Sequence, residues 1–320
     1  MGAYKYLGLQ AGPKGLRKAY GSFLTEKLDY LSHAPLKPQQ RMYLLRCHLL
    51  PKTFHGLVLG ETNSTALEQY DRMVRKSVRR WLRLPKDTPT AYFHSTAADG
   101  GLEIPRLRFV IPVMKNRRMA KLAVTEDPIM QCVANSPCFL AAMKRSAKAA
   151  VVAGQVLETG RDAQRLSATQ LYASADGRGL RQQRETPHVN RWVRDGSQLL
   201  SGGDYIEAIK VRGNLLATQE RSSRGRRIVP PMCDAMCNAT GSLAHISQSC
   251  TMTHLLRCAR HDSVLDFIVT RAVARGHPVV RRPVIPTRVG RRKPDLIALV
   301  NGAVLVIDVT IVADSCNLNV

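Results

Sequence analysis

The apolar positions change period several times along the chain, and each change predicts an element. "YKYLGLQ", near the start, alternates aromatic and aliphatic residues before Gly-Pro-Lys-Gly, the pattern of a strand entering a tight connection. A lone strand needs partners, so it pairs with distant residues or ends a domain whose body lies outside the chain. From Leu16 to Ser32, Leu16, Tyr20, Phe23, Leu24, Leu28 and Leu31 recur at helical spacing. A second helix is expected after Pro38, with Met42, Leu45 and Leu49 on one side and Pro51 ending it. The strongest signal is "TALEQYDRMVRKSVRRWLRLP", where Leu67, Tyr70, Val74, Val78 and Trp81 form one face and Pro85 stops the helix. A Gly-Gly loop in "STAADGGLEIPRL" and a basic helix in "MKNRRMAKL" follow.

Between residues 125 and 227 the periodicity fades. "KRSAKAAVVAGQVLE" reads as helix, whereas "ASADGRGLRQQRETPH" and "ERSSRGRRIVPP" are polar and glycine-bearing and read as loops or linkers. After Asp262 comes another helix, "SVLDFIVTRAVARG", then two apolar runs around Asn301-Gly302, a strong hairpin signal.

Charge changes how the strongest helix is read. Its other faces carry Arg72, Arg75, Lys76, Arg79, Arg80 and Arg83, with no acid four residues on to neutralise them. They form either a solvated face or a set of phosphate contacts. The whole chain holds 48 Lys and Arg against 24 Asp and Glu, a formal charge of +24 and a pI near 10.3, which attracts polyanions. No stretch approaches the roughly 20 apolar residues of a spanning helix, and "MGAYKYLGLQAGPKG" lacks the apolar core of a signal peptide. Nucleic acid is the expected partner, with no membrane, and an intracellular, nuclear setting if the substrate is chromosomal.

Four of the eight cysteines cluster. In "CDAMCNATGSLAHISQSC", Cys233, Cys237, His245 and Cys250 have C-x3-C-x7-H-x4-C spacing. Two thiolates three residues apart can clamp one side of Zn2+, and a His and Cys four apart can complete a tetrahedron with no position left for water, which describes a structural site. Chance clustering around a core histidine is the alternative, and His254, Cys258 and His261 compete for the ligand set.

The Asn-Gly turn has a chemical consequence. Asp295 lies six residues before Asn301 and Asp308 six after Gly302, so simple register sets the two carboxylates opposite each other. Like charges side by side call for a cation, and carboxylate oxygens suit Mg2+. Such a pair can support metal-assisted phosphodiester hydrolysis. The alternative is a turn cap at Asp295 and a salt bridge from Asp308 to Arg291 or Arg292.

These residues together resemble the C-terminal part of the Pol-like polyprotein of type-1, non-LTR retrotransposable elements of the R-two class. "YKYLGL" looks like the strand after the reverse-transcriptase palm; "APLKPQQRMYLLRCHLLPKTFHGLVLG", "DRMVRKSVRRWLRLPKDTP" and "FHSTAADGGLEIPRL" look like its thumb. "CDAMCNATGSLAHISQSC" with "THLLRCARHDSVLDFI" is similar to the family's cysteine-histidine knuckle, and "RRKPDLIALVNGAVLVIDVTIVAD" resembles its restriction-like endonuclease core.

The resemblance implies a multidomain α plus α/β chain. Residues 1–15 end the palm, 16–124 form a helical thumb, 125–228 a basic helical linker, 229–262 a CCHC zinc knuckle, and 263–320 a restriction-endonuclease-like PD-(D/E)xK core truncated at its C-terminus. It implies reverse transcriptase and site-specific endonuclease activities, used in target-primed reverse transcription, with double-stranded ribosomal DNA and the element RNA as partners. In that reading Asp295 and Asp308 are catalytic metal ligands, Lys293 contacts phosphate, and Arg260, His261, Arg291 and Arg292 meet nucleic acid. Two departures stand out. No polymerase aspartate pair is present, and Thr310 occupies the place of the nuclease lysine. They mark the chain as a fragment. The alternative is a non-catalytic nucleic-acid-binding protein with a structural zinc knuckle.

Overall fold

A computed structural model describes residues 4–6, 9–12, 15–17, 20–60, 62–185, 187–195, 200–225 and 231–311. They divide into two units, Met1–Leu215 and Leu216–Val320.

The first unit opens with an antiparallel meander, β1 (Tyr4–Tyr6), β2 (Leu9–Gly12) and β3 (Gly15–Arg17). Among the described residues the opening strand pairs with its immediate neighbour in sequence, β2. Gly12 faces Gly15 across the second turn, whose Pro13 and Lys14 lie outside the described residues. Leu16 belongs to β3, and α1 (Tyr20–His33) starts later than its periodicity suggests, burying Leu24, Leu28 and Leu31.

Pro51 does not end the next helix. α2 (Pro38–Leu44) passes through one wide π turn, Leu45–Leu49, into α3 (Leu50–Leu59). Pro51 lies just after the π turn within this continuous helical run, where the wider turn accommodates a residue without an N–H. α4 (Ser64–Leu82) matches its periodicity: Asn63 caps it by accepting from the Ala66 amide at 2.8 Å, and Arg83 closes it in the left-handed region, φ 50°. Its Trp81 indole donates to Ser32 Oγ of α1 at 2.8 Å.

After α5 (Thr90–His94) the chain turns through Gly100 and Gly101. A Cβ on Gly101 would meet the Ser95 carbonyl oxygen at 2.3 Å, so only glycine fits. α6 (Leu107–Ala123) begins earlier than expected and keeps Pro112 inside it. Its first two amides, Leu107 and Arg108, donate to the Asp71 carboxylate of α4 at 2.8 and 2.9 Å. A side chain from another helix thus does the work of a cap.

The stretch from 125 to 215 lies within the first unit. It folds as α7 (Pro128–Ala134), α8 (Pro137–Ala149), a hairpin of β4 (Val151–Val152) and β5 (Gln155–Val156), α9 (Gly160–Tyr172), two short 3-10 turns, α10 (Trp192–Asp195) and α11 (Gly202–Arg212). Leu171, Leu180, Val193, Tyr205, Ile206, Ile209 and Leu215 join the same core as α1 to α5. Tyr92 Oη donates to the Ile209 carbonyl at 2.8 Å, and Arg212 donates to the Gly101 carbonyl at 2.8 Å. α11 also carries charge, and its packing on α2, with the Tyr92 bond to Ile209, is what separates core from surface there.

The second unit begins with α12 (Gln219–Ser222) and a cysteine-bearing loop, followed by α13 (Leu243–Gln248) and the long α14 (His254–Val273). Five strands follow: β6 (Val279–Arg281), β7 (Ile285–Thr287), β8 (Gly290–Arg292), β9 (Leu296–Val300) and β10 (Ala303–Ile307). One antiparallel sheet has order β10-β9-β6, and β7-β8 is a separate two-stranded ribbon. Leu296 and Ala298 of β9 turn inward, as does Leu265 of α14, which packs on β6 and β9. Asn301 and Gly302 take φ of 54° and 80°, the paired positive values of a type I′ turn.

Candidate functional site

The cysteine loop is tight because Met236 and Asn238 both adopt positive φ, 54° and 51°. Cys233 donates its amide to the Ala239 carbonyl at 2.9 Å, and Met236 returns one to Cys233 at 3.0 Å. These bonds fold the first two cysteines onto one side. Ser242 caps α13 by accepting from the His245 amide at 3.1 Å, and the Cys250 amide donates back to the His245 carbonyl at 3.0 Å, so a short helix and the turn that closes it present the other two.

One ligand atom from each of Cys233, Cys237, His245 and Cys250 lies within 4.8 Å of the others. Cys250 Sγ is 3.6 Å from Cys233 Sγ and 3.8 Å from Cys237 Sγ. His245 Nδ1 bonds Ser249 Oγ at 3.0 Å, while Nε2 is buried with no hydrogen-bond partner among the described residues. An orphaned imidazole nitrogen facing three thiols is what a metal ion would satisfy, and the Ser249 contact fixes the ring. Hydrogen bonding from Thr251, chiefly its hydroxyl at 3.2 Å, lowers the Cys237 thiol to about 6, which favours the thiolate a metal needs. The cluster can hold zinc, with all four positions filled by protein. Of the rival ligands, His254 and Cys258 pair with each other at 3.8 Å on exposed α14, and His261 joins a different group.

That group stands at the open end of the β9–β10 hairpin. Register runs from Ala303 opposite Val300 to Ile307 opposite Leu296, and Asp295 and Asp308 are the next residues on either side. The Asp295 amide donates to Asp308 Oδ1 at 3.0 Å, and the Val309 amide donates to Asp295 Oδ2 at 2.8 Å. Each carboxylate keeps its second oxygen free of hydrogen bonds among the described residues. Asp308 makes no salt bridge to Arg291 or Arg292.

His261 of α14 completes the group. Its Nε2 lies 3.1 Å from Asp295 Oδ2 and its Nδ1 3.4 Å from Asp262 Oδ1. Asp262 first, and Asp295 after it, raise the His261 pKa above its usual value. Arg282 also bonds Asp262, and its amide donates to the Asp295 carbonyl at 2.9 Å. Asp262 and Arg282 have no spacing signal in the sequence, because β6 brings Arg282 back from 20 residues away. Arg257 is another residue hidden from pattern: it donates to the Cys250 carbonyl at 3.2 Å, tying the thiol loop to α14. Arg260 donates to the Ser247 carbonyl at 2.9 Å and is otherwise exposed.

On α4 the cations separate into two sets. Arg72, Lys76 and Arg80 are exposed. Arg75 is buried, 2.8 Å from Glu68 Oε1 and 3.2 Å from His94 Nε2, and Arg79 lies 4.8 Å above the Phe93 ring while donating to Thr88. The acidic partner of Arg75 is seven residues away instead of four. Arg291, Arg292 and Lys293 are exposed on and just after β8.

No family model matches the chain. It is 37% identical over 97% of its length to a retrovirus-related Pol polyprotein from the type-2 retrotransposable element R2DM of Drosophila melanogaster. It is 34% identical to the corresponding polyproteins of type-1 R2 elements in Nasonia vitripennis and Popillia japonica, over 97% and 98% of its length. The chain spans 29% of the first two relatives and 64% of the third. No helix among the described residues is long and apolar enough to cross a membrane. Over nearly all of its length, the chain is homologous to part of the Pol polyproteins of R2 retrotransposable elements.

Proposed function

We propose that the second unit nicks duplex DNA, and that the first serves as the thumb of a reverse transcriptase acting on the cut end. The observation that carries the reading is the meeting of Asp295, Asp308 and His261 at one hairpin end. Two carboxylates that each retain a free oxygen make a donor set suited to Mg2+, which when bound would polarise a phosphate and activate water. Asp295 and Asp308 would hold the ion, and His261 would orient the Asp295 carboxylate. Lys293, two residues before Asp295, would contact the phosphate. Homology to R2 Pol polyproteins supports nucleic-acid partners, here ribosomal DNA in the nucleus and the element RNA. The zinc cluster gives the unit a fixed platform beside α14.

A specific observation favours a second reading. Each carboxylate accepts a backbone N–H across the hairpin, so the pair also works as a clasp, and a DNA- or RNA-binding protein without nuclease activity would use it that way. A metal-dependent nicking assay separates the two, run on this chain and on a form extended beyond Val320. Loss of nicking in Asp295→Ala and Asp308→Ala is expected. Equal nicking by parent and variants would remove the enzyme reading.

A further inference from the structure

Among the described residues, the ribbon of β7 and β8 hydrogen-bonds to no strand of the main sheet. Arg281 pairs with Asp266 and Arg282 with Asp262, whereas none of Arg288, Arg291, Arg292 and Lys293 forms an ion pair among the described residues. Four cations within six residues, none in an ion pair among the described residues, attract a polyanion. Pairing of Ile285 with Arg292 and Pro286 with Arg291 sets Arg291 and Arg292 on opposite faces, since successive strand residues point to opposite sides. Val289, at the turn, is 85% exposed.

We infer that this ribbon enters the major groove of duplex DNA tip first, with Arg291 meeting the phosphates of one wall and Arg292 those of the other. The shape selects the partner. Two strands about 5 Å apart fit a groove about 12 Å wide and not the minor groove of about 6 Å. Each strand is three residues, about 10 Å of chain, which suits a groove about 8.5 Å deep. The deep, narrow major groove of A-form RNA does not admit it. Single-strand binding sites stack bases on aromatic side chains, and residues 284–293 contain none. The inference rests on the nicking proposal for its purpose: Asp295 follows Arg292 by three residues, so a seated ribbon brings the carboxylate pair to the same duplex.

The test measures binding rather than cutting. The 320-residue chain and Arg291→Ala/Arg292→Ala are titrated, with Mg2+ omitted, against a 30-base-pair duplex, its single strand and the same sequence as double-stranded RNA. Two lost phosphate contacts should lower the slope of log affinity against log salt by about two on duplex DNA, with the other two ligands unchanged. Dimethyl sulfate footprinting reports the groove: the parent should protect guanine N7, in the major groove, and the variant should not. An unchanged slope, an equal loss on RNA or single strand, or protection confined to adenine N3 would each overturn the inference. Far-UV circular dichroism and zinc content matching the parent confirm a folded variant, and Val289→Glu, which adds a negative charge at the tip, should weaken duplex binding without touching a phosphate contact. Because omitting Mg2+ prevents cleavage, a chain that binds through the ribbon but never nicks would defeat the nuclease proposal alone.

Discussion

Asp295 and Asp308 face each other across the mouth of the β9–β10 hairpin, the amide of one donating to the carboxylate of the other at 3.0 Å. The contact separates a structural from a chemical role by one substitution. Asn at position 308 keeps an oxygen for the Asp295 amide and loses the charge a cation needs. Asp308→Asn should therefore leave the unfolding midpoint nearly unchanged while nicking falls about a hundredfold or more, the size of a lost several-kcal/mol charge stabilisation. A variant that nicks normally would make the pair a clasp.

The zinc cluster is tested without any activity. Cys237→Ser should release the metal stoichiometrically, read by elemental analysis of the purified chain. Ser249→Ala keeps all four ligands and removes only the group that fixes the His245 ring at 3.0 Å. Competition with a chromophoric chelator should show affinity about ten- to a hundredfold weaker, the usual cost of losing such a partner. Unchanged zinc content in Cys237→Ser would remove that residue from the ligand set.

Spacing carried the cysteine cluster and the hairpin because both are local. C-x3-C and H-x4-C each close within a turn of chain, and Asn-Gly fixes register from its midpoint, so distance in sequence converts directly into distance in space. What failed was long-range. Arg75 looked like a phosphate contact until His94 and Glu68 enclosed it, and Asp71 gave no sign that it caps a helix starting at Leu107. Pro51 looked like a stop because a one-dimensional pattern does not show that a π turn precedes it.

The region after residue 124 offers a stability test of its place in the first core. Tyr205 is fully buried, bonds the Val193 carbonyl at 3.0 Å and stacks edge-on with Trp192 at 5.9 Å. Tyr205→Ala should cost about 3–5 kcal/mol, as aromatic truncations in cores do. The loss should appear in the same urea transition that unfolds α4, followed by Trp81 fluorescence in a variant with Trp192 replaced by Phe. A separate, earlier transition for the substituted region would make it an independent linker after all.

Two buried groups beside Arg75 give opposite dependences on pH. Burial holds His94 neutral down to about 3, from an ordinary 6.5, so acid protonates the unfolded chain first and stability is lost as pH falls below 6.5. Burial pushes the Asp71 carboxyl up to about 7 from 3.8, against the pull of the Arg108 and Leu107 amides and Arg75. The folded chain then keeps a proton the unfolded chain releases, and that stability is lost as pH rises from 3.8 toward 7. Between these limits the two slopes oppose each other. Asp71→Asn removes one of them; it keeps an oxygen for one of the two α6 amides and loses the bond to the other, a cost that does not vary with pH in this range. The unfolding free energy of the variant relative to the parent should rise by about 1.4 kcal/mol per pH unit between about pH 4.5 and 6. Urea titrations of both proteins at these two values measure it, and a difference that does not move with pH would mean Asp71 is already ionised in the folded chain.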